Sequence, residues 1–218
     1  MKIKTIRLWN YNQFINERID LGSNLNMVFG EAGSGKTSLF SALRDSIEND
    51  IKGVEILTDD DASPTETKVL MFINSAAEAD LKSYQEYAAK NNIPKEKLEA
   101  NVAKIYKDLS GNVLHGKDPL KKLSAGERLL VTYSYVFAIK KILGLDVPLI
   151  VYGPITPLDK EKTQVLFKYL IKAKEQIILF MLPSDGERIT ISGKERKPKY
   201  FQLPYDAKAK TSRIIEKR

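Results

Sequence analysis

The sequence contains no cysteine and only one histidine among its 218 residues. Without cysteine the chain has no disulfide, no thiolate metal site and no cysteine nucleophile. No apolar run approaches the roughly 20 residues that span a bilayer. The N-terminal segment is charged throughout and lacks the apolar stretch of a signal peptide. We therefore expect no membrane segment and a cytoplasmic protein.

The length and composition are those of one globular unit. Hydrophobic residues make up 43% of the chain, an ordinary share for a folded domain. A chain of 218 residues can bury one substantial core. We therefore predict one α/β domain over residues 1–218, with room for a small additional lobe.

The net charge of +7 is concentrated near the end of the chain. Residues 190–218 contain nine lysines and arginines against three acids. A local basic cluster of this kind favours a polyanionic partner. The alternative interpretation is a solvated basic tail, and composition alone leaves both open.

One segment carries a complete phosphate-binding pattern, G-x-x-x-x-G-K-[ST], at residues 30–37. An apolar strand, 25–29, precedes it and a helix-forming stretch, 38–47, follows, which is the context that such a loop requires. In this arrangement backbone N–H groups hold the phosphates, Lys36 reaches the β and γ oxygens, and the Thr37 hydroxyl holds Mg²⁺. A purely structural glycine loop is the alternative. The predicted nucleotide-binding residues are Gly30, Glu31, Ala32, Gly33, Ser34, Gly35, Lys36, Thr37 and Ser38.

Strand patterns surround this loop. Ile3, Ile6 and Leu8 mark a first strand. A second strand, 14–21, is expected to bury the alternating residues Ile15, Ile19 and Leu21. Two further strand-like runs, 54–57 and 68–73, flank an acidic turn, which we interpret as a hairpin loop rather than a metal site.

Residues 75–110 have a helical period. A capping-box pattern at 75–78 opens the first stripe, and Asn91 to Pro94 interrupts it before a second stripe begins. Two stripes around a short turn predict an antiparallel αα-hairpin, inserted as a lobe over 75–117. The stripes consist of Ala77, Leu81, Tyr84 and Ala88, then Leu98, Val102, Ile105 and Leu109.

The remaining chain alternates between helices and strands. A nearly all-apolar helix at 124–143 is expected to be buried. A strand at 148–152, a helix at 160–173 and a strand at 176–182 follow. Residues 188–203 predict a β-hairpin whose tip carries Lys194, Arg196, Lys197 and Lys199, while Tyr200 and Phe201 are expected to pack in the sheet.

Four motifs in order resemble one family. Residues 6–14 read IRLWNYNQF, the phosphate loop follows, residues 123–128 read LSAGER, and residues 148–159 read PLIVYGPITPLD. Together they resemble the ATPase heads of the SMC, RecF and double-strand-break-repair group of ABC-type ATPases, over essentially the whole chain. The resemblance implies a P-loop NTPase with an ABC-ATPase-like head, an N-terminal antiparallel β subdomain and a short αα-hairpin in place of a coiled-coil arm.

The resemblance also implies roles for particular residues. Ser124, Ala125, Gly126 and Glu127 would form the signature that closes over the γ-phosphate held by a second subunit, and Asp159 would belong to the D-loop. ATP with Mg²⁺ would then hold two heads together as a homo- or heterodimer. Ser124 and Glu127 also form a capping box, and both roles are compatible.

The hydrolytic residues of the family are not matched. In the family, the strand that corresponds to residues 148–152 ends with Asp and Glu, which order Mg²⁺ and activate water. Here the alignment places Tyr152 and Gly153 at those positions, and Asp146 precedes the strand instead of ending it. No histidine follows strand 176–182, because the only one is His115, and Asn74 is the nearest counterpart of the usual glutamine.

We therefore expect an ATP-binding head that hydrolyses ATP slowly or not at all. We also expect it to associate with double-stranded DNA through Lys194, Arg196, Lys197 and Lys199. One alternative is an active DNA-repair-type ATPase that takes its catalytic residues from a partner. A second alternative is the nucleotide-binding subunit of an ABC transporter.

Overall fold

The computed structural model describes residues 1–59, 65–74, 81–111, 123–155, 157–191 and 197–217. Within these residues the chain forms a central sheet, an N-terminal sheet, a small C-terminal hairpin and the surrounding helices. The helices are α1 (Lys36–Ser46), α2 (Leu81–Lys90), α3 (Lys95–Ser110), α4 (Ala125–Leu143), α5 (Lys160–Lys172) and the short α6 (Pro183–Gly186), with a 3-10 helix at Thr65–Leu70.

The N-terminal sheet is antiparallel, with strand order β2-β1-β4. A register shift between Ile3 and Thr5 changes the alternation of β1, which lets Ile3, Ile6 and Leu8 all face the core. The strands are β1 (Ile3–Tyr11), β2 (Phe14–Asp20) and β4 (Val54–Thr58).

The expected alternation of β2 is partly wrong. Ile19 is buried, but Ile15 is 59% exposed and Leu21 lies beyond the end of the strand. The strand lies at the edge of its sheet and buries Phe14, at its first position, instead of Ile15.

The central sheet has the order β11-β8-β3-β7-β6-β5. Its five strands from β8 to β5 are parallel, and β11 pairs antiparallel at the edge. The strands are β3 (Leu25–Phe29), β5 (Phe72–Asn74), β6 (Leu149–Tyr152), β7 (Ile177–Met181), β8 (Lys199–Gln202) and β11 (Ile215–Lys217); β9 (Tyr205–Asp206) and β10 (Thr211–Ser212) form the C-terminal hairpin.

Both faces of the central sheet are buried, which explains its continuous apolar strands. On one face, Met27 and Leu179 join a core formed with α2, α3, α4 and α5. On the other face, Val28 and Phe180 join a core formed with α1 and the N-terminal sheet. The expected buried helix, strand, helix and strand of residues 124–182 are all confirmed as α4, β6, α5 and β7.

Helices α2 and α3 belong to the main core. Helix α3 packs along α4 and against α5, and α2 packs on α4. The predicted stripe of α3, which includes Leu98 and Val102, is buried together with residues of α4 and the sheet. The capping box expected at 75–78 and the end of the 75–117 lobe lie outside the described residues. The single-domain boundary 1–218 stays a prediction.

The hairpin expected between runs 54–57 and 68–73 is wrong. Strand β4 pairs with β1, and β5 pairs with β6 in the other sheet. Residues Thr65–Leu70 form a 3-10 helix, so only the end of the second run is a strand. The acidic segment therefore leads from one sheet to the other; residues 60–64 within it lie outside the described part of the chain.

The hairpin expected at 188–203 is also wrong. Strand β8 pairs parallel with β3 and antiparallel with β11, the C-terminal strand. Lys199 opens β8, where its ammonium donates to the Asp20 carbonyl at 3.0 Å and lies 3.4 Å from Glu216. Lys194 and Arg196 lie outside the described residues. The expected packing of Tyr200 and Phe201 is confirmed, since Phe201 is buried and Tyr200 stacks on Phe29.

Candidate functional site

The phosphate-binding loop connects β3 to the first turn of α1. Gly33 has φ +79° and Gly35 has φ +98°, values in the left-handed region that favours glycine. Gly35 is the N-cap of α1, and the first turn of that helix contains no acidic residue. The backbone N–H groups at this helix N-terminus therefore meet an anion without a competing carboxylate from the same turn.

A glutamine from the turn between β1 and β2 supports this loop. The Gln13 amide nitrogen donates to the Gly33 carbonyl at 3.2 Å, and the Ser38 hydroxyl donates to the Gln13 amide oxygen at 3.1 Å. A Cβ atom on Gly35 would lie 2.7 Å from the Phe14 ring. Sequence reasoning assigned no role to Gln13, because its contacts join residues 20 or more positions apart.

Lys36 lies inside the loop with 7% of its surface exposed. Its ammonium donates to the carbonyls of Gly30 at 2.6 Å and Glu31 at 2.8 Å. Burial lowers the pKa of Lys36, and the negative charges of Glu31 and Asp185 oppose that change. The lysine is thus oriented by backbone carbonyls at the loop that it is predicted to serve.

The end of β6 reaches the same first turn of α1. The Tyr152 phenol and the Thr37 hydroxyl form a hydrogen bond of 2.9 Å. Gly153 follows with φ +64°, and its N–H donates to the Phe180 carbonyl at 3.0 Å. Asp146 lies at the other end of the strand, where its carbonyl accepts from the N-terminal ammonium. Asp146 is therefore excluded as the carboxylate that ends β6.

These residues do not match a P-loop Mg²⁺ site. Such a site combines the loop hydroxyl with a carboxylate at the end of a second strand of the same sheet. Here the hydroxyl of Thr37, the predicted metal ligand, is hydrogen-bonded to the Tyr152 phenol instead. Among the described residues, no group of three or more His, Cys, Asp or Glu side chains is placed to hold a metal ion.

The segment after β7 carries a buried acid that sequence reasoning overlooked. Asp185 is 7% exposed, and its carboxylate accepts from the Leu182 N–H at 3.1 Å. Arg188 lies 3.8 Å from the other carboxylate oxygen and also donates to the Leu158 carbonyl and, at 3.3 Å, to the Thr163 hydroxyl. Arg188 thereby joins the segment after β7 to the segment before α5.

The predicted signature residues begin α4. Ser124 is the N-cap: its N–H donates to the Glu127 carboxylate at 2.8 Å, and its hydroxyl accepts from the Glu127 N–H at 3.3 Å. The hydrogen bond from the Ser124 backbone is the main cause that lowers the pKa of Glu127. The capping box is thus confirmed, and Ser124 and Ala125 remain exposed at the helix N-terminus.

The structure places the predicted signature residues close to the segment before Asp159, the predicted D-loop residue. A Cβ atom on Gly126 would lie 2.7 Å from the Pro157 carbonyl, so α4 approaches that backbone closely. Asp159 caps α5 through the Lys162 N–H at 2.8 Å. We call residues 124–126 and 157–159 the signature face. The hydrogen bonds and ion pairs described for these residues do not connect the signature face to the phosphate-binding loop.

Comparisons with known proteins agree with this architecture. A family model described as an AAA domain matches residues 5–54, which include most of β1, all of β2 and the phosphate-binding loop. No curated protein matches the sequence at a significant level.

Solved structures match over almost the whole chain. The SMC head domain from Thermotoga maritima has TM-score 0.63 and 13% identity, covering 100% of both chains. The Smc head domain with an extended coiled coil, bound to the C-terminal domain of ScpA and derived from Pyrococcus furiosus, has TM-score 0.65 and 11% identity, covering 99% of this chain and 96% of that one. The cbiO1 part of an ABC transporter complex from Clostridium perfringens has TM-score 0.64 and 15% identity, covering 98% and 88%.

The fold is therefore that of an α/β P-loop NTPase with an ABC-ATPase-like head, as the motifs predicted. At these identities the likeness establishes the fold. SMC heads and a transporter subunit match equally well, so the choice between those functions depends on the site. The described part of the chain contains no helix long and apolar enough to cross a membrane.

Proposed function

We propose that this protein is an SMC/RecF-like nucleotide-binding head that uses ATP to stabilise a dimer or a partner complex, with slow or absent hydrolysis. The observation that carries the proposal is the pairing of a complete phosphate-binding loop with a strand end that offers a phenol where catalysis needs a carboxylate. Bound ATP would then act by shifting a population of assemblies.

The first test measures ATP turnover and nucleotide-dependent mass on the purified chain. We expect turnover far below the ordinary enzyme range of about 1 s⁻¹, together with a larger mass in the presence of ATP. A turnover of about 1 s⁻¹ or more that Lys36→Ala abolishes would instead favour the active ATPase.

The second test concerns how two heads meet. In the proposed dimer, the exposed N-terminus of α4 on one chain faces the nucleotide on the other. Ser124→Arg places a bulky cation at this contact, so we expect light scattering to show loss of the ATP-dependent dimer. Lys97→Glu on the exposed surface of α3 is the control. An unchanged dimer in Ser124→Arg would contradict the proposed interface.

A transporter subunit is the alternative that needs a membrane partner. The resemblance of residues 6–14 and of Glu127 to SMC-like motifs favours the SMC-like function. Co-purification with a membrane protein would reverse that preference.

Binding of duplex DNA is a second proposed activity. Its support is the exposed cations Lys208 and Lys210 near the β9–β10 turn, with Arg213 directly after β10. Lys197 is exposed as well, whereas Lys199 is engaged within the sheet edge. Contacts of this kind would be to phosphates and independent of base sequence.

The DNA test is a fluorescence-anisotropy titration of a duplex at several salt concentrations. Neutralising Lys208, Lys210 and Arg213 together is expected to reduce the slope of log K against log salt by about 2.7. Neutralising Lys90, Lys97 and Lys104 of α2 and α3, which are also exposed, is the matched control. Equal effects of the two triple variants would remove the assignment to the C-terminal segment.

A further inference from the structure

Tyr152 lies where the central sheet brings β6 next to the phosphate-binding loop. Strand β6 pairs with β7, placing Tyr152 beside Phe180, and β7 pairs with β3, which leads into the loop. The phenol therefore reaches the first turn of α1 and forms its 2.9 Å hydrogen bond with Thr37. This hydroxyl is the group that a P-loop normally offers to Mg²⁺.

Packing holds the phenol at this position. The Tyr152 ring lies 5.5 Å from the ring of Phe40, one turn after Thr37 on α1. Phe40 in turn contacts Phe72 and Phe180 edge-on, at 5.6 and 5.9 Å. Because these rings fill the core between α1 and the sheet, the Tyr152 side chain is oriented by its neighbours.

The acids near Lys36 do not replace the absent carboxylate. Asp185 accepts the Leu182 N–H with one oxygen and faces Arg188 with the other. Glu31 is exposed, and its described contact with Lys36 is through the backbone carbonyl. At a nucleotide site Mg²⁺ keeps several waters and is held by phosphates and one or two carboxylates, and neither Asp185 nor Glu31 stands at the end of β6 beside Thr37.

We propose that Tyr152 makes this a site for the metal-free nucleotide triphosphate. The inference rests on the proposed ATP binding and specifies the form of the ligand. Metal-free ATP is more negative than its Mg²⁺ complex. The buried ammonium of Lys36 and the acid-free N-terminus of α1 favour that more negative form. Tyr152 hydrogen-bonds the Thr37 hydroxyl and stands where a carboxylate would attract the metal.

The test is calorimetric titration of ATP in buffer with excess Mg²⁺ and in buffer with excess EDTA. For the wild-type protein we expect ATP to bind as tightly in EDTA as in Mg²⁺, or more tightly, because the metal-free form is the proposed ligand. Binding that is weaker in EDTA by more than about fivefold would overturn the inference. The absence of ATP binding in both buffers would instead overturn the proposed function, so the two failures are distinguishable.

Tyr152→Asp tests the role of the phenol. A carboxylate at this position restores the combination of loop hydroxyl and strand-end carboxylate that holds Mg²⁺ in other P-loop proteins. We therefore expect the variant to bind ATP more than about fivefold tighter in Mg²⁺ than in EDTA. Tyr205→Asp, the same change on an exposed tyrosine of β9, is the matched control and should keep the wild-type ratio. If Tyr152→Asp keeps the wild-type ratio of the dissociation constants in EDTA and in Mg²⁺, Tyr152 does not determine whether the ligand carries the metal.

A second variant applies if Tyr152→Asp does not fold by circular dichroism. Tyr152→Phe keeps the ring and its packing on Phe40 but frees the Thr37 hydroxyl. We expect this variant to gain a preference for the Mg²⁺ complex of ATP that is smaller than the preference expected for Tyr152→Asp. An unchanged ratio in Tyr152→Phe would contradict the proposed role of the phenol.

Discussion

The loop after β3 and the end of β6 both lie at the carboxyl ends of the parallel strands, with β7 between them, but they offer different chemical groups. The first presents backbone N–H groups and a buried lysine, which are the parts that hold phosphates. The second presents a phenol and a glycine where P-loop NTPases have the carboxylates that order Mg²⁺ and position water. The groups suited to hold phosphates and the position aligned with the hydrolytic carboxylates therefore lie at two different strand ends.

Both regions are well packed. Phe14 and Gln13 lie against Gly35 in the loop, and Phe40 lies against Tyr152 at the end of β6. The tyrosine is thus part of the core formed by α1 and the sheet. A return to the carboxylates of the family would meet a second obstacle at Gly153, because its φ of +64° disfavours glutamate.

The largest expected effect comes from the aromatic support of Tyr152. Phe40 is 4% exposed and contacts Tyr152, Phe72 and Phe180. We expect Phe40→Ala to lower the free energy of unfolding by about 3–5 kcal/mol, because it leaves a cavity. Phe40→Leu, which keeps most of the volume, should cost less than about 1.5 kcal/mol in the same urea titrations. Equal small losses in both variants would show that the rings do not support the end of β6.

The next effect concerns the two left-handed glycines of the loop. Gly35→Ala strains the backbone and also places a Cβ against Phe14, so we expect a loss of about 2–4 kcal/mol. Gly33→Ala is the matched control, because a Cβ there meets no atom within 4 Å. It should cost only the conformational strain of about 1–2 kcal/mol. Thermal unfolding that ranks Gly33→Ala as equally destabilising would contradict the close packing at Gly35.

A somewhat smaller effect is expected on ATP affinity. Lys36→Ala removes a charge-assisted contact to the phosphates worth roughly 1.5–3 kcal/mol, which corresponds to about 10- to 150-fold in the dissociation constant. Calorimetry measures this change, with Lys97→Ala on α3 as the control. Unchanged ATP affinity in Lys36→Ala would refute the assignment of the loop.

The smallest effect concerns Asp159, the first acid after β6. Asp159→Ala should cost about 1 kcal/mol of stability because α5 loses its N-cap, and Asp159→Asn should retain most of the cap. A backbone hydrogen bond from Lys162 is the main cause that lowers the pKa of Asp159 below 3.8. Since the folded pKa is the lower one, this contribution is present above about pH 4 and is lost as the pH falls through the folded pKa.

Measurement of the unfolding free energy from pH 7 to pH 3 checks the Asp159 prediction. The difference between wild type and Asp159→Ala should shrink at the acid end. A constant difference would mean that the carboxylate charge plays no part in capping. A loss of ATP turnover in Asp159→Asn without a loss of stability would instead indicate catalysis by this residue.

Local sequence patterns were sufficient to predict the strand, loop and helix around the phosphate-binding motif and the helix that begins at the predicted signature. The strand, glycine loop and helix of residues 25–46 follow from short-range rules, as does the capping box of Ser124 and Glu127. Short-range rules did not predict which strands pair with one another. β4 and β8 were each expected to pair with a neighbour in sequence, and both pair with distant strands.

The sequence by itself therefore determined the phosphate-binding loop, the tyrosine and glycine at residues 152–153 where the resemblance places two carboxylates, and the order of helices and strands around them. Those features depend on residue type, spacing and backbone preference within a few turns of chain. Only the tertiary structure decided that Gln13 supports the loop and that Tyr152 forms a hydrogen bond with the Thr37 hydroxyl. Such contacts arise when long-range pairing, driven by burial of both sheet faces, brings distant strand ends together.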